Sequence, residues 1–176
     1  FAARNTANTF FGWAYPPSWL QSVNSFFIIV FAPVVGLVWM KLGSRNPSSP
    51  AKFSLGLFLL AAAYVLMIGA SLAAGGGVKV SPMWLIGCYF LQTIGELCLS
   101  PVGLSAMSTL APARVQGLMM GVWFLASSVG NKVAGRVGGL YESYSLPTIF
   151  GANAGFVAVF AILMVLLIVP IKRMVA

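Results

Sequence analysis

Five times between residues 17 and 171 the chain runs apolar for more than twenty residues, interrupted only by short polar connections. An α-helix rises about 1.5 Å per residue, so about 20 apolar residues cross the roughly 30 Å hydrocarbon layer of a bilayer. In hydrocarbon every backbone N–H and C=O must be satisfied within the protein, which leaves only helices and closed β-barrels. Barrel strands alternate apolar and polar residues over ~10 positions, whereas these runs are continuous. The chain therefore reads as an all-α, polytopic membrane helix bundle embedded in a lipid bilayer. Composition agrees: 60% of residues are hydrophobic and 7% charged, against about 25% charged in a soluble domain.

The spans are expected at about 17–42, 52–74, 82–110, 112–140 and 149–171. Pro16 and Pro17 suit the start of the first and Gly43 its end. The glycines at 75–77 close the second, and Pro170 with Lys172 and Arg173 closes the fifth. Pro33 in the first span and Pro101 in the third remove one backbone donor each and are expected to bend their helices. The opening FAARNTANTFFGWAYPP is not a span and starts with Phe, so the chain is expected to be a piece of something longer. A first span entering from outside asks for one more helix before it. Six helices make half of a twelve-helix, two-bundle transporter.

Charge sets orientation. Lys41, Arg45, Lys52, Arg114, Lys172 and Arg173 fall on one side, and Arg4, Lys79 and Glu142 on the other. Basic residues accumulate on the cytoplasmic side, so the 43–51 loop and the C-terminus are expected there. Lys132 and Arg136 lie near the outer end of the fourth span, where long basic stems can snorkel. The net charge of +8 does not point to nucleic acid, because the basic residues stand singly at loop edges instead of forming a patch interleaved with aromatics. With no histidine there is no Ser/His/Asp or Cys/His set and no metal-ligand cluster, so the chain is not expected to be an enzyme or to hold a cofactor. Cys88 and Cys98 sit about 15 Å apart along one helix, too far for a disulfide, and read as packing residues.

The polar residues inside the apolar runs carry the functional reading. Glu96, in TIGELCLSP, lies halfway along the third span. An ionisable group at that depth costs at least about 2.5 kcal/mol and is a functional candidate by default; the alternative is a paired or protonated structural carboxyl. Ser100 follows one turn later on the same face, and Pro101 frees the carbonyl of Leu97, a break tolerated where a helix lines a cavity. Asn24 heads a polar cluster with Gln21, Ser22 and Ser25, which serves equally well as interhelical glue. Trp123 lies deeper than the interfacial belt expected for Trp19, Trp39 and Trp84. Depth alone makes Trp123 a packing residue, yet Ser127 and Asn131 extend a polar stripe from it. The GxxxG pairs Gly117/Gly121, Gly135/Gly139 and Gly151/Gly155 are expected to let helices approach closely. The eight methionines read as core filler.

The stretches QSVNSFFII, APV, LGSRNPSSPAKFSLGL, VSPMWL, TIGELCLSPVGLS, LAP and MMGVWFLASSVGNKVAG together resemble the proton-coupled oligopeptide transporters of the major facilitator superfamily. The likeness runs from about Pro17 to Gly135 and is densest over TIGELCLSPVGLS. It implies that the chain is most of the C-terminal bundle, helices eight to twelve, with the N-terminal bundle as its missing partner. It further implies that Glu96 binds the amino terminus of a di- or tripeptide and that Ser100 lines the cavity. Asn24 would hydrogen-bond the peptide, Trp123 would pack against its side chains, and Ser127 would continue the cavity wall. The coupling ion would be a proton, the setting a bacterial inner membrane. The helix-one ExxER motif of that family and the groups holding the peptide carboxylate are absent, so this chain alone cannot complete a site.

Other readings stay open on the residues alone. An anion such as nitrate asks for a cavity-facing arginine, and the available cations, Lys132 and Arg136, lie near the outer end. A sugar asks for many amides, and Asn24 and Gln92 are few. A non-transporting membrane scaffold would have no need of Glu96.

Overall fold

The structure is a computed structural model that describes residues 1–7, 9–10, 13–16, 18–139 and 143–175. Five long helices make the bundle: α2 over Ser18–Leu42, α3 over Ser49–Ala73, α4 over Met83–Leu110, α5 over Gln116–Gly139 and α6 over Leu146–Val175. A one-turn helix α1, Ala2–Asn5, and two short strands, β1 at Thr9–Phe10 and β2 at Trp13–Ala14, precede them. Pro17, Leu140 and Glu142, on which a helix start, a span end and an outer charge were placed, lie outside the described residues.

The helix ends follow local chemistry. Past α2, Gly43 takes φ +48°, the left-handed turn that closes a helix and that glycine adopts without a Cβ clash. Both α3 and α6 begin three residues earlier than expected, at Ser49 and Leu146. In each a proline, Pro50 or Pro147, falls in the first turn, where its missing N–H costs nothing. At the other end α4 stops because Ala111 precedes Pro112 and is driven to an extended ψ of 134°. The turn from Pro112 to Val115 then delays α5 to Gln116.

Pro170 does not end its helix, although the apolar span closes at Ile171 as expected. The helix α6 runs through it to Val175, just as α2 continues through Pro33 and α4 through Pro101. One bond is lost at each proline, but the neighbouring backbone groups have no water to turn to in hydrocarbon and keep their helical partners.

Among the described residues, four helical segments are long and apolar enough to cross a membrane: Ser18–Arg45, Ser49–Ala73, Met83–Thr109 and Leu146–Ile171. The helix α5 occupies the fourth expected span and at 24 residues has the length. Its apolarity falls short, because Ser127, Ser128, Asn131, Lys132 and Arg136 share it with several glycines. A membrane helix of that kind needs a side that does not meet lipid.

The helix α3 packs most extensively on α6 and α4, α2 packs on α4, and α5 rests more lightly on α4. The backbones of α3 and α4 touch at Gly56 and Gly95. A Cβ added at Gly56 would stand 2.7 Å from the Gly95 carbonyl oxygen, and one at Gly95 would stand 2.8 Å from that of Gly56. The GxxxG pairs do not do what was expected of them. A Cβ at Gly117, Gly121, Gly135, Gly139 or Gly155 meets nothing within 4 Å, and one at Gly151 meets only Ile68 at 3.9 Å. The spacing marks where a helix could be approached closely, and within the described residues nothing approaches there.

A core of Leu20, Ala63, Met67, Ala70, Leu85, Cys88 and Phe150 gathers at the end where α2, α4 and α6 begin and α3 finishes. Cys88 and Cys98 are buried and free, as packing residues should be. The leading segment lies across this end. Ala7 N–H donates to the Val80 carbonyl and Val80 N–H to that of Asn5, each at 2.9 Å, while the Tyr15 hydroxyl donates to the Ala7 carbonyl at 3.0 Å. Phe1 meets Phe150 edge to face at 6.0 Å. At the opposite end the Lys52 ammonium sits 4.6 Å above the ring of Trp39 and ties α3 to α2. Large apolar side chains, Ile29, Met40, Phe156 and Leu166 among them, stay exposed along α2 and α6. Such a surface suits lipid or another helix and would be a liability in water.

Candidate functional site

The Gly56–Gly95 crossing sets the rotation of α4. With Gly95 against α3, the next residue, Glu96, turns away and is exposed. Ser100 lies one turn on and is exposed as well. Gly103 completes the same face seven residues past Glu96, about 10 Å along the axis. Glu96 and Ser100 make no ion pair or side-chain hydrogen bond among the described residues. A carboxylate and a hydroxyl one turn apart, both open to one side, can offer negative charge and an adaptable hydrogen bond to a solute.

Trp123 reaches this face from α5. Its ring lies on Gly103: a Cβ there would stand 2.1 Å from Cη2 and 2.5 Å from Cζ3 of the indole, and 3.0 Å from Cζ of Phe53. The glycine is thus a seat for the ring, and Trp123 both packs α5 on α4 and bounds one end of the Glu96 face. Because α4 and α5 run in opposite directions through a short turn, residues after 123 return along α4 toward Glu96. Ser127 lies one turn past Trp123, exposed, with its hydroxyl donated to the Trp123 carbonyl at 3.1 Å. A back-bond of that kind satisfies the hydroxyl proton locally while leaving oxygen lone pairs to the outside.

Asn24 is held from the other flank. The Thr93 hydroxyl donates to its Oδ1 at 2.6 Å. Thr93 is fully buried, while Asn24 is only half-buried. The same interface carries Phe27 and Phe31 of α2 edge-on to Phe90 of α4, at 5.9 and 5.3 Å. Asn24 is therefore interhelical glue through its oxygen, and its Nδ2 has no partner among the described residues. Thr93 precedes Glu96 by three residues, so the amide is anchored about 4.5 Å along α4 from the carboxylate.

Glu96, Ser100 and the Trp123 ring thus share the α4 face, with Asn24 pinned at its flank and Ser127 one turn past Trp123 on α5. Pro33 and Pro101 sit within continuous helices, Pro101 directly after Ser100. Sequence reasoning passed over Thr93, Gly56 and Gly103. Gly95, adjacent to the lone membrane carboxylate, carried the one signal available. A separate cleft of ≈ 400 Å³ between α5 and α6, lined by Val133, Val137, Ile149 and Phe156 among others, is almost wholly apolar and holds none of these groups.

Residues 1–154 match the model of the POT family. The chain is 42% identical over 181 aligned residues to the peptide transporter YePEPT of Yersinia enterocolitica, covering 99% of this chain and 35% of that protein. It is 34% identical to a di-/tripeptide transporter of Lactococcus lactis, covering 97% of this chain and 35% of the relative. Among solved structures it superposes on a peptide transporter POT crystallised with alafosfalin, at TM-score 0.87, 35% identity, 98% of this chain and 35% of that one. A POT family transporter in complex with 5-aminolevulinic acid follows at TM-score 0.86 and 31% identity, with 94% and 35% covered. The chain thus spans about a third of the length of these relatives. The resemblance read from the motifs holds, and the chain belongs to the POT family, a family of membrane transporters and not of enzymes.

Proposed function

We propose that this chain forms most of the C-terminal half of a proton-coupled symporter of di- and tripeptides, and that Glu96 receives the peptide amino terminus. The observation that carries the reading is Glu96, exposed and without a partner among the described residues, on a polar face of α4 in an otherwise apolar bundle. A small peptide is a zwitterion. A carboxylate in a pocket of lowered dielectric attracts its ammonium more strongly than it would in water, and the opposing bundle would supply positive charge for the carboxylate end. The N-terminal bundle is the partner this requires. Ser100 and Ser127 give hydrogen bonds along the cavity wall, Asn24 reaches the peptide unit, and Trp123 packs on side chains. Recognition through termini and backbone leaves side-chain identity permissive.

Transport follows from rocking of one bundle against the other about a site near the membrane midplane. The helices carrying Pro33 and Pro101, each short of one backbone bond, are the bending elements. The proton is the only coupling ion, and no cofactor is needed. The setting is a bacterial plasma membrane with the 43–51 loop and the C-terminus in the cytoplasm.

The test is a Glu96→Gln variant of a full-length transporter carrying this sequence. Proton-driven dipeptide uptake should fall to background at normal membrane abundance. An N-acetylated dipeptide, which lacks the ammonium, should fail to compete with the free dipeptide in the parent protein. Undiminished uptake by the variant, or equal competition by the acetylated peptide, would refute the assignment.

A further inference from the structure

We propose that residues 1–7 and 13–16 form a standing clasp across the end of the bundle where α2, α4 and α6 begin. The clasp fixes that end as one rigid body, so the helix movements of transport in this half take place at the opposite end. The proposal concerns how this half moves and is independent of which residue receives the peptide.

A connection that only led into α2 would lie over the surface with its backbone bonded to water. This one is paired. Thr6 and Val80 form a parallel β-bridge, in which Val80 N–H donates to the Asn5 carbonyl and Ala7 N–H to that of Val80, each at 2.9 Å. Thr6, between those bonds, has no solvent access, and Val80 is buried too. Val80 belongs to the connection between α3 and α4, so the bridge grips two helices at once. Phe1 extends the grip to α6 through Phe150, edge to face at 6.0 Å. Tyr15 closes the other side: its hydroxyl donates to the Ala7 carbonyl at 3.0 Å, and its ring packs on the core. Trp19 N–H then bonds to the Pro16 carbonyl at 3.0 Å, which carries the clasp into α2. Backbone bonds shielded from water over a packed core open only with the unit they belong to. The opposite end is held differently. Beyond Pro33, Leu37, Val38 and Met40 of α2 are exposed. Trp39 meets α3 through the Lys52 ammonium, 4.6 Å above its ring, a weak tether near a surface. The helix α5 rests lightly on α4.

The experiment uses a full-length transporter carrying this sequence, reconstituted in liposomes, with dialanine as the probe. Paired spin labels report two distances. Trp19→Cys with Val78→Cys reads the clasped end, and Met40→Cys with Leu118→Cys the opposite end, all four being exposed positions. Cys88 and Cys98 are buried, so within this chain the labels go to the introduced sites. When dialanine and a proton gradient are applied, the clasped-end distance should stay single and unmoved while the opposite-end distance shifts. A shift at the clasped end, or none at the opposite end, would overturn the proposal. Tyr15→Phe removes the bond to the Ala7 carbonyl, and Ala7→Pro removes the N–H that Val80 accepts. Each should broaden the clasped-end distribution, and an unchanged distribution in both counts against the clasp. Thr6→Cys with Val80→Cys is the converse variant. Neighbouring strands lie about 4.8 Å apart, within the range a disulfide spans. Oxidised, this variant should take up dialanine as fast as it does after reduction with dithiothreitol. Uptake lost on oxidation and regained on reduction would mean that the clasp opens during transport, and the proposal would fall. Its failure leaves Glu96→Gln to decide the peptide site separately, and retained uptake by Glu96→Gln leaves the clasp distances to decide this one.

Discussion

Single residues in this bundle act through what lies beneath them. Trp123 is where it is because Gly103 has no side chain, and Glu96 points outward because Gly95 is pressed against α3. The first relation is open to a direct test. In Gly103→Ala the new Cβ would overlap the indole, and Phe53 blocks the remaining space, so the ring must leave its seat. Peptide uptake should drop about as far as in Trp123→Ala, and the double variant should be no worse than either single one. Additive losses would mean that the two residues serve separate ends. At this scale the sequence announces charge and polarity and is silent about support. Glu96 is conspicuous in an apolar run, whereas nothing distinguishes Gly103 from the other eighteen glycines of the chain, nineteen in all.

Between elements, the α3–α4 crossing decides which face of α4 is available. Backbone contact at Gly56 and Gly95 leaves no volume for a methyl group on either helix. Gly95→Val should force the helices apart and destabilise the bundle by about 1–3 kcal/mol, the usual consequence of overpacking. Thermal unfolding in detergent would register it as a lowered midpoint together with reduced uptake. Gly155→Ala, at a site with nothing within 4 Å, should show no loss and gain slightly from helix propensity. The reverse pattern would remove the crossing from its assigned role. The two glycines stand in separate helices, so no spacing rule within one helix could pair them. The GxxxG pairs illustrate the converse, since their spacing is right and their faces are open. Prolines tell a similar story: Pro50 and Pro147 sit harmlessly in first turns, and Pro170 is passed through.

For the molecule as a whole, the polar face of α4 and the stripe of α5 stand open among the described residues, where α5 rests chiefly on α4. Residues 1–176 reconstituted by themselves should insert into liposomes but take up no dipeptide under an imposed proton gradient. Co-expression with the remainder of the transporter should restore uptake. Accumulation of dipeptide by the isolated chain would contradict the half-site reading. The polarity of α5 also finds its reason here: a helix that keeps Ser127, Asn131 and Lys132 exposed requires a neighbour other than lipid.

What the sequence by itself determined was the set of long helices, with ends displaced by up to about four residues, and the identity of the polar groups at membrane depth. Those follow from local necessity, because a backbone in hydrocarbon can only bond to itself and a carboxylate there stands out against its surroundings. Which residues meet was decided only by the tertiary structure: Thr93 with Asn24, Gly56 with Gly95, Gly103 with Trp123. In a soluble protein the apolar stripe of a helix reveals its inward face. In a membrane the lipid side is as apolar as the protein side, so the pattern does not reveal how each helix is rotated. That rotation is chosen by close fit between helices remote in sequence, and it determines which way Glu96 faces.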